Sequence, residues 1–112
     1  MPRSPSRTDP QLNTRARRRA CAEIRRSRPW ICAICLLPIP RDVDPQRSRL
    51  AHTVDEIRPR SHGGSATDPA NLQPAHLLCN STRSNGPLTE DLSRRCRQAV
   101  LALTTANTSR NW

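Results

Sequence analysis

The sequence predicts a small α+β domain that is held together by a structural zinc ion. The first observation is the low hydrophobic content, because only 34% of the 112 residues are hydrophobic and 2% are aromatic. Burial of so little apolar surface does not usually stabilise a chain of this size by itself. The second observation is a pair of motifs with the spacing of metal ligands, Cys32-x-x-Cys35 and His76-x-x-Cys79. The third is that strand-like and helix-like patterns both occur between and around these motifs.

The charge of the chain indicates the class of its partner. The 19 basic and 9 acidic residues give a formal net charge of +10, which favours a polyanion. Nucleic acid is the first candidate, and a basic surface that is merely solvated is the alternative. No apolar run approaches the ~20 residues of a membrane span, so no membrane contact is expected. The N-terminus shows no apolar stretch of a secretory signal, and we therefore expect a cytoplasmic location and metal binding rather than disulfides.

The N-terminal part of the chain predicts a basic tail followed by a helix. Residues 1–8 contain mainly Pro, Ser and Arg, and we expect them to be disordered. Asp9 and Pro10 suit the N-cap and the first position of a helix over residues 9–28, and Pro29 ends it. This basic amphipathic helix is either a solvated surface helix or one that contacts phosphates. Its apolar positions are Leu12, Ala16, Ala20 and Ile24.

The middle of the chain predicts a metal-binding turn followed by two strands and a helix. Residues 30–39 carry two cysteines between apolar residues, as in a zinc knuckle. Residues 50–57 alternate well enough for a strand, and the prolines and glycines of residues 58–70 predict a loop. A short strand over residues 71–73 and a helix over residues 74–84 complete this part.

The C-terminal part predicts one more helix. Thr89 suits the cap of a helix over residues 88–104, whose apolar residues recur every three or four positions. Residues 105–112 are expected to be a frayed tail. Cys21 and Cys96 fall on the apolar sides of their helices, so we expect small buried side chains rather than metal ligands.

The two ligand motifs together predict one structural zinc site. A knuckle supplies two ligands from a turn, and a helix supplies two more at positions i and i+3 on one face. A single Cys-x-x-Cys is also compatible with a redox role, but a second ligand pair in a chain with little core favours zinc. The predicted ligands are Cys32, Cys35, His76 and Cys79.

Four short motifs follow one another between residues 54 and 80. They read VDEIRP, GGS, DPANL and HLLCN. Their order and spacing resemble those of the HNH endonuclease family, above all the members whose ββα-metal (His-Me finger) unit is flanked by zinc knuckles, which include small phage-encoded proteins. The resemblance covers residues 30–86. It implies a ββα-metal nuclease unit between the two flanking helices and a divalent-metal-dependent endonuclease.

The resemblance also implies the roles of individual residues. Asp55 and Asn80 match the family's ligands of a catalytic divalent ion, which would be Mg²⁺, Mn²⁺ or Ni²⁺. Asn71 matches the central Asn that orients the general base and ties down the loop. The two cysteine-containing motifs match the family's structural Zn²⁺ ligands.

Glu56 is the position at which this chain departs from the family, which usually has His there as the general base. A carboxylate is a weaker base than imidazole, but it can still take a proton from water beside a metal ion. Glu56 is therefore either the general base, a third oxygen ligand that favours Mg²⁺ or Mn²⁺, or a change that silences hydrolysis. His52 is too far along the strand to replace it, and His62 lies in a loop, so neither is expected to act as the base.

Three arginines are candidates for phosphate contacts. Arg58 and Arg60 flank Pro59 directly after the predicted strand, and Arg83 lies on the helix that carries Asn80. A guanidinium can bind a phosphate through two hydrogen bonds, although solvated arginines are the plain alternative in so basic a chain. Because no aromatic platform for base stacking is visible, phosphate contacts should dominate DNA binding.

The sequence is compatible with two functions from different classes. The first is a metal-dependent HNH endonuclease that nicks or cleaves DNA. The resemblance to phage-encoded members suggests action in a bacterial host cell beside terminase and other packaging proteins. The second is a nucleic-acid-binding module that keeps the zinc-dependent fold but hydrolyses weakly or not at all.

Overall fold

The computed structural model describes residues 15–110, with side chains for residues 15–105. The predicted tail over residues 1–8 and the predicted helix start at Asp9 lie outside the described residues. Two strands pair antiparallel in a single sheet beside three helices, which confirms the predicted α+β class. The elements are α1 (Arg15–Ser27), β1 (His52–Glu56), β2 (Leu72–His76), α2 (Leu77–Arg83) and α3 (Glu90–Arg110), with 3₁₀ turns at Arg60–His62 and Pro69–Asn71.

Strand β2 is longer than predicted, and it includes Pro74, which was expected to begin a helix. Proline has no N–H to donate, but both strands of a two-stranded sheet are edge strands, where proline is tolerated. The Pro74 carbonyl accepts a hydrogen bond of 2.9 Å from the N–H of Ala33. Helix α2 therefore begins only at Leu77, and Asn71 belongs to a 3₁₀ turn instead of the strand.

Helix α3 extends beyond its predicted end at residue 104 and includes residues 105–110 of the predicted frayed tail. The helix continues because residues 104–110 contain neither Gly nor Pro, the residues that most often end one. At its other end, the Thr89 hydroxyl accepts a hydrogen bond of 3.1 Å from the N–H of Leu92, which confirms the predicted cap. Within residues 15–110 no helix combines the length and the apolar character needed to cross a membrane.

The described residues form two compact units, and the first contains α1, the ends of the two strands and the loop between them. It comprises the residues through Pro29 and Val54–Gln73. Ala20 and Ile24 lie one turn apart on α1, so they form a single apolar stripe. The core of this unit consists of Ala20, Ile24, Val54 and Leu72, with the half-buried Cys21 packed against it.

The second unit comprises Trp30–Thr53 and the residues from Pro74 onward. Its core contains the four predicted zinc ligands and aliphatic side chains of the knuckle, α2 and α3. Leu92, Cys96 and Val100 follow one another at successive turns of α3 and are all buried. Burial raises the pKa of the Cys96 thiol, which keeps it neutral. Its position in the core confirms the prediction of a small buried side chain rather than a metal ligand.

Candidate metal centre and nuclease site

A tight turn brings Cys32 and Cys35 together. The N–H of Cys32 donates to the carbonyl of Leu37 at 2.9 Å, and the N–H of Leu36 donates to the carbonyl of Cys32 at 2.8 Å. Leu36 has a φ of 70°, in the left-handed region that side chains with a Cβ disfavour. It is 62% exposed, so packing does not require a leucine there. This is the tight turn that the sequence predicted for a zinc knuckle.

Helix α3 holds the knuckle through two side chains. The Ser93 hydroxyl donates a short hydrogen bond to the carbonyl of Ile34. The Nε of Arg97 donates to the carbonyl of Cys35 at 3.2 Å. Both carbonyls belong to the ligand-bearing turn, so its conformation depends on a helix that is distant in sequence.

The four predicted zinc ligands meet at one point in the second unit. Their ligand atoms all lie within 4.8 Å of one another, and all four residues are buried. Nδ1 of His76 lies 3.4 Å from Sγ of Cys35 and 3.7 Å from Sγ of Cys79. Three sulfurs and one imidazole nitrogen are a common donor set for structural zinc, so the residues present fit Zn²⁺.

The second ring nitrogen of His76 sets the tautomer of the imidazole. Nε2 lies 3.0 Å from the carbonyl oxygen of Pro38. A carbonyl only accepts, so Nε2 must carry a hydrogen, and in the neutral ring the lone pair is then on Nδ1, which faces the sulfurs. Such an outer hydrogen bond orients a histidine ligand and increases its basicity.

The electrostatics of this cluster favour a positive charge at its centre. Hydrogen bonds from the Cys35 and Cys79 side chains hold the pKa of the Cys32 thiol far below its ordinary value. Hydrogen bonds to the Cys32 and Cys35 sulfurs raise the pKa of Cys79 instead. Burial acts to lower the pKa of His76, but its bonds to the same two sulfurs outweigh burial and raise it to about 9. A bound metal cation would therefore replace the protons on His76 and Cys79.

Asp55 and Glu56 end strand β1 in the first unit. Asp55 is only 3% exposed, and its Oδ2 accepts a hydrogen bond of 2.8 Å from Nε2 of Gln73 on the paired strand. Oε2 of Glu56 lies 3.5 Å from Nη1 of Arg17 and 3.4 Å from Nε of Arg60. The Glu56 side chain is 13% exposed, so two guanidinium groups approach a carboxylate that is largely shielded from water.

Asn71 closes the loop that follows β1. Its Oδ1 accepts from the N–H of Arg58 at 2.9 Å, and its Nδ2 donates to the carbonyls of Arg58 at 3.0 Å and Ser65 at 2.7 Å. The loop passes so close that a Cβ on Gly64 would lie 1.6 Å from the carbonyl oxygen of Arg58. Gly63 has a φ of 89°, so both glycines of the pair are needed for the backbone to take this course.

Asn80 lies on α2 in the second unit, directly after the predicted ligand Cys79, and is half-buried. Residues 32–86 match a family model described as HNH endonuclease. The chain carries an HNH endonuclease domain. This domain is that of a nuclease family, which implies hydrolase chemistry and binding of nucleic acid. No curated protein and no solved structure matches the chain.

Two of the candidate arginines of the HNH domain have structural contacts. The Nε of Arg58 donates to the carbonyl of His62 at 2.7 Å, across the 3₁₀ turn. Arg83 is only 5% exposed, and its Nε donates to the carbonyl of Gly86 at 2.9 Å. Arg83 was a candidate for a phosphate contact with a solvated side chain as the alternative; in the structure it is neither exposed to phosphate nor solvated, because it is buried beside the chain that follows α2. Arg60 has a side chain that is 46% exposed and remains a candidate.

The other two histidines of the HNH domain have different surroundings. The ring of His52 packs on Trp30 with the ring centroids 4.4 Å apart, in the second unit. His62 is exposed at the end of its 3₁₀ turn in the first unit.

Sequence reasoning missed Gln73 and Arg17, both of which contact the candidate site residues. Gln73 could have been found by pairing β1 with β2, because residues opposite each other on one face are neighbours. Arg17 gave no signal, because it is one of several arginines on α1 and lies outside the matched residues 32–86.

Proposed function

We propose that the chain is a metal-dependent endonuclease that hydrolyses phosphodiester bonds of DNA. The observation that supports this most is the arrangement at the end of β1 in an HNH domain. Buried Asp55 is followed by Glu56, whose carboxylate is held in place by arginines at the position where the family has its base.

In the proposed reaction Asp55 and Asn80 would hold a divalent ion, for which Mg²⁺, Mn²⁺ and Ni²⁺ are candidates on the family pattern. The ion would supply stabilisation of the negative charge that develops on the phosphate. Glu56 takes a proton from water while the water oxygen forms a bond to phosphorus. The bond from phosphorus to the 3′ oxygen breaks, and that oxygen takes a proton from solvent.

The remaining residues of the domain would support this step. Asn71 fixes the conformation of the loop between the strands through its three side-chain hydrogen bonds. Arg60 would contact DNA phosphates. Arg58 would do so through Nη1 and Nη2, because its Nε already donates to the carbonyl of His62. Binding should depend little on DNA sequence and should weaken steeply as salt is raised.

The experiment is nicking of supercoiled plasmid with each of the three metal ions and with EDTA. Glu56→Gln keeps the shape of the side chain but cannot accept the proton, so the rate should fall by roughly 10²–10⁴-fold. If Glu56 is instead a metal ligand, excess metal should restore much of that loss. Glu23→Gln makes the same change at an exposed position of α1 and should keep the wild-type rate. Asp55→Ala should abolish metal-dependent nicking.

The second candidate function is a nucleic-acid-binding module without hydrolysis. It is favoured by the same two arginines, because their ion pairs already engage the carboxylate that hydrolysis would use as a base. Salt-dependent DNA binding by wild-type protein that nicks with none of the three metal ions would decide for this function.

We further propose a biological setting on the resemblance alone. Small phage-encoded members of this kind suggest action in a bacterial host cell beside terminase. Co-purification of the chain with a phage terminase subunit expressed together with it would support this setting, and separate elution of the two proteins would contradict it.

A further inference from the structure

We infer that Arg17 is a positioning residue for Glu56, so that helix α1, outside the matched residues 32–86, forms part of the nuclease site. The inference rests on the proposed function, in which Glu56 accepts a proton from water. It concerns a residue that the family pattern does not include. Its basis is the set of contacts that Arg17 makes within the first unit.

The guanidinium of Arg17 engages the strand and the loop at once. Its Nη1 donates a hydrogen bond of 2.7 Å to the carbonyl of Ala66 and lies 3.5 Å from Oε2 of Glu56. The Arg17 side chain is only 21% exposed. The next two residues of the helix, Arg18 and Arg19, are exposed. A planar guanidinium with several fixed donors is suited to such a double contact.

Helix α1 holds Arg17 at a fixed place relative to β1. Ala20 and Ile24 pack in the same core as Val54 of β1. At the other end of the helix, Arg28 donates to the carbonyl of Leu72 at 3.2 Å and, through Nη2, to that of Pro69 at 3.0 Å. Apolar packing in the middle and arginine contacts at both ends therefore fix α1 on the hairpin.

Arg17 and Arg60 approach the same oxygen of Glu56 but differ in what else they can do. The side chain of Arg60 is 46% exposed, more than twice the exposure of Arg17. An exposed guanidinium can exchange a carboxylate for a phosphate when DNA arrives. Arg17 is tied to the Ala66 carbonyl and stays with Glu56. With Oε2 of Glu56 fixed, the plane of the carboxylate is set, and so is the direction of Oε1. This is the positioning effect that we assign to Arg17.

The test measures single-turnover plasmid nicking at saturating enzyme, with three single variants. Arg17→Gln should lower the rate roughly 10–100-fold, the usual effect of removing an outer partner of a site residue, with little change in the enzyme concentration for half saturation. Arg17→Lys keeps the charge and should recover part of the rate. Arg19→Gln removes the same charge from an exposed position of the same helix and should keep the wild-type rate.

A double-mutant cycle separates positioning from a general structural role. If Arg17 acts through Glu56, Arg17→Gln should cause no further loss of rate in a Glu56→Gln background, because the group that it orients no longer acts. Losses that multiply in the double variant would overturn the inference, and so would a wild-type rate in Arg17→Gln. Absence of nicking by the wild type with every metal ion would overturn the proposed function itself, which distinguishes the two failures.

Discussion

The contact between Gly64 and the Arg58 backbone predicts a large effect of a very small substitution. A Cβ at residue 64 would lie 1.6 Å from the carbonyl oxygen of Arg58, 2.5 Å from its carbon and 2.9 Å from Nδ2 of Asn71. Two of these atoms are backbone, so no rotation of a side chain can relieve the overlap. Gly64→Ala must therefore displace the loop and break hydrogen bonds of Asn71.

The magnitude follows from the bonds that are at risk. Asn71 makes three hydrogen bonds to this loop through its side chain. At about 0.5–1.5 kcal/mol each, their loss lowers the free energy of unfolding by about 2–4 kcal/mol. Gly63→Ala is the matched control, since its Cβ meets nothing closer than 3.6 Å but sits at a φ of 89°. Its expected cost is the ~1–2 kcal/mol of a left-handed residue with a side chain.

The assay is urea unfolding of both variants and the wild type under identical metal loading. Far-UV circular dichroism follows the helices, and the midpoints give the differences in unfolding free energy. Amide hydrogen exchange at Arg58, whose N–H donates to Oδ1 of Asn71, reports on the loop directly. A loss in Gly64→Ala that is no larger than in Gly63→Ala would refute the reasoning, because it would mean that the loop yields to a Cβ without breaking the Asn71 bonds.

Three further predictions concern the metal centre. Cys79→Ser should lose one bound Zn²⁺ per chain and much of the helical signal in circular dichroism. Cys21→Ser, which lies outside the cluster, should keep both. A wild-type circular dichroism spectrum of Cys79→Ser would argue against a structural zinc. Because the pKa of His76 in the metal-free cluster is raised from 6.5 to about 9, its bonds to the sulfurs stabilise the metal-free fold below pH 6.5 and are lost as pH rises through 9. Zinc must displace that proton and the one on Cys79, whose pKa is also raised, so zinc affinity measured by competition with a chelator should increase as pH rises. Leu36→Asn should raise the melting temperature, since Asn accepts a positive φ more readily and the exposed leucine buries little; a lower melting temperature would show that the Leu36 side chain packs in a way that its exposure does not indicate.

The sequence was sufficient for features that depend on local spacing. The spacing of His76 and Cys79 and the tight turn at Cys32 identified ligands that the structure brings together. The prediction that one helix face carries both His76 and Cys79 is wrong, because β2 ends at His76 and α2 begins only at Leu77. The boundary between β2 and α2 was not predictable in the same way. Pro74 is equally suited to a first helical turn and to an edge strand, and only the pairing with β1 decides between them.

Long side chains were the least predictable part of the candidate site. Arg17 and Arg83 are two of many arginines in the sequence, yet one contacts Glu56 and the other is buried against the turn after α2. These outcomes depend on where whole elements pack, and an arginine can reach several partners from one backbone position. The pattern of charges along the chain therefore indicated a class of partner without indicating which arginines serve it.

The knuckle depends on residues that are made much later than its own cysteines, which limits when a newly made chain can fold. Cys35 leaves the ribosome well before His76, which lies 41 residues later. The contacts of Ser93 and Arg97 with the turn come later still. A nascent chain therefore holds the thiols of Cys32 and Cys35 without their two partner ligands until α2 emerges, and the turn gains its contacts with α3 only after residue 97 has been made. The emergence of α2 and the supply of metal together therefore determine when the predicted zinc site can form.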